Sequence, residues 1–184
     1  MQKSNFYVLT GGPGSGKTSV LQELERRGYI CIPEVARPII KEQISINGDA
    51  LPWKNREKYS ELMLQHSVRD FIQYQNEDNI CFFDRGIPDT YGYCLLIRQP
   101  VSDALMNAVK SYRYNPQIFI FPFWKEIYET DSERKQDTRE AEETFYQLKS
   151  AYESLGYQTC ILPRIPVNQR ADFILEQVRH PFSF

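Results

Sequence analysis

Gly11-Gly12-Pro13-Gly14-Ser15-Gly16-Lys17-Thr18 follows the pattern G-x-x-x-x-G-K-[ST], and its reading decides the fold. At average residue frequencies a chain this long meets the pattern by chance on the order of once in a hundred. Context narrows that further. The β-rich run Asn5–Thr10 leads into the loop, and a helical pattern opens at Lys17. A polyphosphate needs several backbone N–H groups converging on one spot, so the chain must curl tightly without side chains in the way. Gly11, Gly14 and Gly16 permit that curl, with Gly12, Pro13 and Ser15 completing the loop. The helix beginning near Lys17 adds unpaired N–H groups and the positive end of its dipole, and Ser19 joins the nucleotide-binding set. Lys17 is then a mobile cation for the β- and γ-phosphates, and the Thr18 hydroxyl a ligand for Mg²⁺.

Outward from the loop, strands alternate with helices. Tyr29–Ile32, Ile80–Phe83, Gln117–Phe121 and Tyr157–Leu162 are short apolar runs bounded by polar or breaker residues, as strands buried on both faces should be. Between them lie helical patterns. Lys17–Arg27 carries Val20, Leu21 and Leu24 inward and stops at Gly28. Leu64, Val68 and Phe71 share helical spacing, as do Val101, Leu105, Val109 and Tyr112. Ala141, Phe145, Leu148, Tyr152 and Leu155 mark a long helix ending before Gly156. Val167, Ala171, Ile174 and Val178 mark the last, with Pro166 suited to its first turn. This alternation predicts one α/β domain over residues 1–184, with a five-stranded parallel sheet covered on both faces.

Composition sets the class. The 184 residues suffice for one domain, and 41% hydrophobic with 25% charged residues is ordinary for a soluble one. A net charge of −2 gives no general attraction for nucleic acid or anionic membrane, so neither is expected as a partner. No run approaches the length of a membrane span, and the opening leaves no room for a signal peptide. The cysteines Cys31, Cys81, Cys94 and Cys160 form no CxxC pair; three sit in apolar strand-like runs and the set reads as small core residues, with metal binding or disulfides as the alternatives. A cytoplasmic protein is expected.

On these motifs the chain resembles P-loop kinases and related small, AAA-like ATPases over nearly its whole length. It is similar in particular to the ribosylnicotinamide-kinase-type domain and to thymidylate- and deoxynucleoside-kinase-like proteins. The resemblance implies a three-layer P-loop NTPase fold with a short lid. It also implies that Asp84, ending the run Ile80–Phe83, holds Mg²⁺ directly or through water. Arg85 follows it, where many ATP-hydrolysing machines place a water-activating glutamate. An Asp-Arg pair resembles nucleoside and nucleotide kinases, and its guanidinium suits phosphate or acceptor oxyanions. An ion pair of Arg85 with Asp84 or Glu34 is the structural alternative. Glu34, in Pro33-Glu34-Val35-Ala36-Arg37, stands where deoxynucleoside kinases carry a general base. The alternative there is a first-turn glutamate favoured by a helix dipole. Asp89 is a further crevice candidate.

Residues 124–139 stand where such kinases carry a lid whose arginines close on phosphate, making Arg139 and Arg134 candidates. Asp137 and Glu140 form a candidate capping box around Arg139. The loop Leu162–Val167 stands where related kinases contact the purine, with Pro166 as a contact. His66 and His180 read as surface or packing residues. The functional expectation is transfer of the γ-phosphoryl group of MgATP to a small acceptor, a nucleoside or nucleotide. The rival expectation is an ATPase acting as a nucleotide-dependent switch for a protein partner. Adenine against guanine, the acceptor and the oligomeric state stay open at this level.

Overall fold

In the computed structural model, residues 1–127 and 138–180 are described, with the backbone course alone for 127 and 138–140. Strands β1 (Phe6–Gly11), β2 (Ile30–Ile32), β3 (Cys81–Asp84), β4 (Gln117–Phe121) and β5 (Gln158–Ile161) form one sheet. Their spatial order is β2-β3-β1-β4-β5, and every neighbouring pair is parallel. The described helices are α1 (Lys17–Arg26), α2 (Ala36–Ser45), α3 (Arg56–Gln73), α4 (Ile87–Leu96), α5 (Asp103–Ser111), α6 (Thr138–Ser154) and α7 (Val167–Arg179).

Side-chain alternation along the strands explains the two helical layers. Phe6, Val8, Cys81, Phe83, Ile118 and Ile120 point to one face and meet Phe71 of α3, Cys94 of α4, Val109 of α5 and Tyr152 of α6. Tyr7, Leu9, Phe82, Phe119 and Phe121 point to the other and meet Val20 and Leu24 of α1 with Ile174 of α7. Both faces of the three central strands are therefore dry, which is why residues 6–9, 81–83 and 118–121 read as unbroken apolar runs. The edge strand β5 leaves Gln158 and Ile161 exposed. Phe6, Phe71, Phe82 and Phe119 have no exposed surface, and each contributes about 1.5–3 kcal/mol by burial. A smaller cluster, Ile39 with Tyr59 and Met63, fastens α2 onto α3.

Boundaries shift where capping chemistry intervenes. Ser102 accepts a hydrogen bond from the Leu105 N–H at 3.2 Å, so α5 starts after it and Val101 and Tyr112 flank the helix. Pro166 is the residue before α7, not part of its first turn. Gly11 remains in β1, paired with Phe121 of β4. A Cβ at Gly11 would lie 2.5 Å from the Phe121 carbonyl oxygen, and its φ is 141°, so only glycine fits where the strand turns into the loop. Cys81, Cys94 and Cys160 are buried free thiols and Cys31 is half-buried. No described helix is long and apolar enough to cross a membrane.

Candidate active site

The parallel order brings the C-terminal ends of β1, β2 and β3 side by side, and the candidate residues stand there. Leu9 lies opposite Asp84, Ile32 opposite Phe83, and the Arg85 N–H donates to the Leu9 carbonyl at 2.9 Å. Within the loop, Ser15 Oγ donates to the Gly12 carbonyl at 2.8 Å. Gly16 is the N-cap of α1, with φ 81°. No side chain caps α1, and its first turn carries no acidic residue. The first N–H groups and the helix dipole are thus left to an anion.

Lys17 is 7% exposed, and among the described residues its Nζ donates to the Gly11 carbonyl, at 3.4 Å. Burial first, then the Arg85 charge, lowers its pKa to about 8, against the opposing pull of Asp84, Glu34 and Asp89. Phosphate charge would restore the protonated form. Affinity for ATP should therefore fall as pH rises through 8, and binding at pH 8 should take up about half a proton. Calorimetry in two buffers of different ionisation heat measures this. Lys17→Arg, always charged, should abolish the uptake, and identical uptake in that variant would contradict the assignment.

Asp84 is 8% exposed and its Oδ1 is buried without a hydrogen-bond partner. Burial raises its pKa against the pull of Lys17 and Arg85. A buried carboxylate oxygen with no donor is suited to a cation. Thr18, one residue past Lys17, is exposed and leaves its hydroxyl open. No group of three or more His, Cys, Asp or Glu that could hold a metal occurs among the described residues. Mg²⁺ keeps several waters and takes one or two protein oxygens with substrate phosphates, a demand that the Asp84 carboxylate and the Thr18 hydroxyl can meet. The residues present thus fit the ion.

Glu34 and Arg85 meet across β2 and β3. Arg85 Nε donates to Glu34 Oε2 at 3.2 Å, and Arg37 Nε lies 2.8 Å from Oε1. Burial would raise the Glu34 pKa, but the charges of Arg85, Lys17 and Arg37 outweigh it and hold the carboxyl below its ordinary value. Arg85 itself has φ 70°, uncommon for a side chain of this size. What holds it there is Asp89. Its Oδ1 accepts from Arg85 Nη1 at 3.2 Å and from Thr10 Oγ1 at 2.5 Å. Its Oδ2 accepts from the Gly86 N–H at 2.8 Å and the Tyr152 hydroxyl at 2.5 Å. Burial, then the Asp89 charge, keep the Tyr152 hydroxyl pKa well above its ordinary value, so it stays a donor. Of the ion-pair alternatives for Arg85, the one with Glu34 is realised, Asp89 is an added partner, and the same contacts aim the guanidinium along the strand ends.

Other candidates lie farther out. Arg134, Asp137 and the body of the expected lid are outside the described residues; Arg139 follows the first residue of α6. Trp124 and a short 3-10 turn, Lys125–Ile127, lead toward that segment. The 162–166 loop is tied to the end of β4 by Arg164 Nη2, which donates to the Phe123 carbonyl at 2.8 Å. His66 lies half-buried on α3 and His180 is exposed at the end of α7. Arg170, which sequence reasoning missed, is 4% exposed and donates from Nη1 to the Ser15 carbonyl at 3.2 Å. Its signal was present: residue 170 shares the inward stripe of Val167, Ala171 and Ile174, where a charge is out of place.

The model of a family described as an AAA domain matches residues 6–170. The chain belongs to that family, and its sheet order and loop make it a P-loop protein of kinase-type fold. Its architecture is shared with deoxyadenosine kinase from M. mycoides, solved with the products dCMP and a flexible dCDP. That likeness has a TM-score of 0.67 at 12% identity, over 95% of this chain and 98% of that one. The same enzyme with bound dATP gives a TM-score of 0.60 at 15% identity, over 95% and 99% of the two chains. No curated protein matches.

Proposed function

We propose that the chain is a small-molecule kinase that moves the γ-phosphoryl group of MgATP to a hydroxyl of a nucleoside or nucleotide. The observation that carries this is the row Lys17, Asp84, Arg85, Glu34 along three adjacent strand ends. A polyphosphate seated on residues 11–18 would meet Lys17 and the N-terminus of α1, with Gly12, Pro13 and Ser15 shaping the turn. Thr18 and Asp84 would hold the magnesium ion, which supplies neutralising charge to the phosphates.

Arg85 offers a guanidinium to oxyanion charge, and its contacts with Glu34 and Asp89 fix its direction before substrate arrives. Glu34 is held ionised, so it orients an acceptor hydroxyl by accepting its hydrogen bond more than it strips the proton. Both of its oxygens are engaged. The acceptor would displace Arg37, the more exposed of the two partners at 47% against 24% for Arg85. Phosphoryl transfer is mostly positioning plus charge stabilisation, which is what these groups provide. Support for a nucleoside or nucleotide acceptor comes from the shared fold of the deoxyadenosine kinase, whose structures hold dCMP, dCDP and dATP.

ADP production from MgATP, with and without a panel of nucleosides and nucleotides, tests the proposal. Turnover appearing with one acceptor is expected. Slow hydrolysis indifferent to every acceptor would replace it with the switch reading, in which bound nucleotide controls a protein partner.

A further inference from the structure

We infer that Arg170 is a positioning residue for the phosphate-binding loop, holding the Ser15 carbonyl so that an uncompensated positive charge stands directly behind the loop. The inference rests on the reading of residues 11–18 as a polyphosphate site.

Arg170 projects from the inner stripe of α7. Its Nη1 donates to the Ser15 carbonyl at 3.2 Å, 155 residues away in sequence. The guanidinium carbon lies 5.3 Å from the Trp124 ring centroid and 5.8 Å from that of Phe121. Its Nε is buried and has no hydrogen-bond partner. Among the described residues no carboxylate pairs with it, and burial alone lowers its pKa. Two aromatic faces and one carbonyl offset only part of the cost of burying a guanidinium. Two other described arginines of this site sit against carboxylates: Arg85 on Glu34 and Asp89, Arg37 on Glu34. A buried charge left without a counter-ion is poorly explained as a stabilising contact. It is well explained as charge kept for an anion that arrives later.

The geometry states how the charge acts. Across a trans peptide the carbonyl and the following N–H point in opposite directions. Holding the Ser15 carbonyl toward α7 therefore aims the Gly16 N–H away from α7. Gly16 is the N-cap of α1, so this N–H belongs to the uncapped helix start. The guanidinium polarises that peptide and adds a full charge to the potential on its far side. Trp124 and Phe121 close the guanidinium off from water, which keeps the charge from being screened. Folding and binding then pull in opposite directions at one residue. Among the described residues the buried charge has no carboxylate partner, and the polyphosphate supplies counter-charge through the loop.

The test compares Arg170→Met and Arg170→Lys with the full chain of natural sequence. Calorimetric binding of ATP, ADP and inorganic tripolyphosphate is measured with Mg²⁺ present, and melting of the apo proteins is followed alongside. Arg170→Met should weaken ATP and tripolyphosphate about tenfold or more. ADP should weaken by less, and apo Tm should be unchanged or higher. Arg170→Lys should keep most of the affinity. Affinities within twofold of the natural chain in Arg170→Met would overturn the inference. So would equal losses for all three ligands together with a fall in apo Tm, the pattern of a merely structural residue. Binding that is lost in Lys17→Ala but intact in Arg170→Met leaves the phosphate site standing and removes only Arg170. A natural chain that binds none of the three ligands removes both.

Discussion

Replacing Lys17 by alanine is expected to lower acceptor-dependent ADP production by about a thousandfold or more, while leaving the fold intact. The size of the effect follows from what Lys17 faces. It is the one side-chain cation of the loop itself, and it is buried, so its charge acts in a medium that screens it little. Among the described residues its hydrogen bond is a long one, 3.4 Å to the Gly11 carbonyl, while Asp84, Glu34 and Asp89 would lose its charge with it. Burial already depresses its pKa, which marks it as a group the apo fold holds at a cost. The burial cost removed and the carboxylate compensation lost oppose each other, so apo Tm should stay near that of the natural chain while turnover collapses. The check is the coupled ADP assay beside calorimetric unfolding. Turnover within tenfold of the natural chain would show that the measured activity does not run through this loop.

Asp89→Ala is expected to destabilise the fold by about 3–5 kcal/mol, because it strips four donors of their acceptor at once. Arg85 would be left beside Glu34 alone, and the Thr10 and Tyr152 hydroxyls and the Gly86 N–H would lose their partner inside a dry layer. For a chain of 184 residues that loss corresponds to a fall in Tm of about 10 °C or more. Asp89→Asn should fall between. Its amide can accept from one side but presents its own N–H₂ to a donor on the other, and it carries no charge for Arg85. Tyr152→Phe, which removes a single donor, should cost about 1 kcal/mol. Thermal unfolding of the three variants reads the series. A loss below about 1 kcal/mol in Asp89→Ala would mean that the four bonds are not what holds Arg85 at φ 70°. At the site the same variant should lower kcat more than it raises the KM for ATP, since the loop keeps Lys17 and loses only the aim of Arg85.

Much of this molecule was legible before any coordinates. The loop from Gly11 to Thr18 is contiguous, so its curl, its cation and its hydroxyl are all written in eight adjacent letters. Strand and helix alternation follows from local periodicity, and the β3 carboxylate follows from a single polar letter closing an apolar run. Helix α2 entered this reading only as the alternative that put Glu34 in a helix first turn, because only Ile39 of its ten residues is buried, too few to set a period. The helix begins at Ala36, after Glu34. Chain-wide pattern also says nothing about strand order. Parallel neighbours are joined by crossovers of many residues, so adjacency in sequence does not imply adjacency in the sheet. The order β2-β3-β1-β4-β5 decides that Glu34 and Arg85, 51 positions apart, share an ion pair. It also decides that Asp89 gathers Thr10 and Tyr152 from 79 and 63 positions away. Arg170 behind Ser15 belongs to the same class. Sequence by itself therefore determined the elements and the phosphate loop, because backbone curl, capping and amphipathic period are local. Only tertiary structure decided which charges meet, because ion pairs and buried hydrogen bonds form between whatever side chains the closed sheet and its two helical layers bring within 3 Å or so.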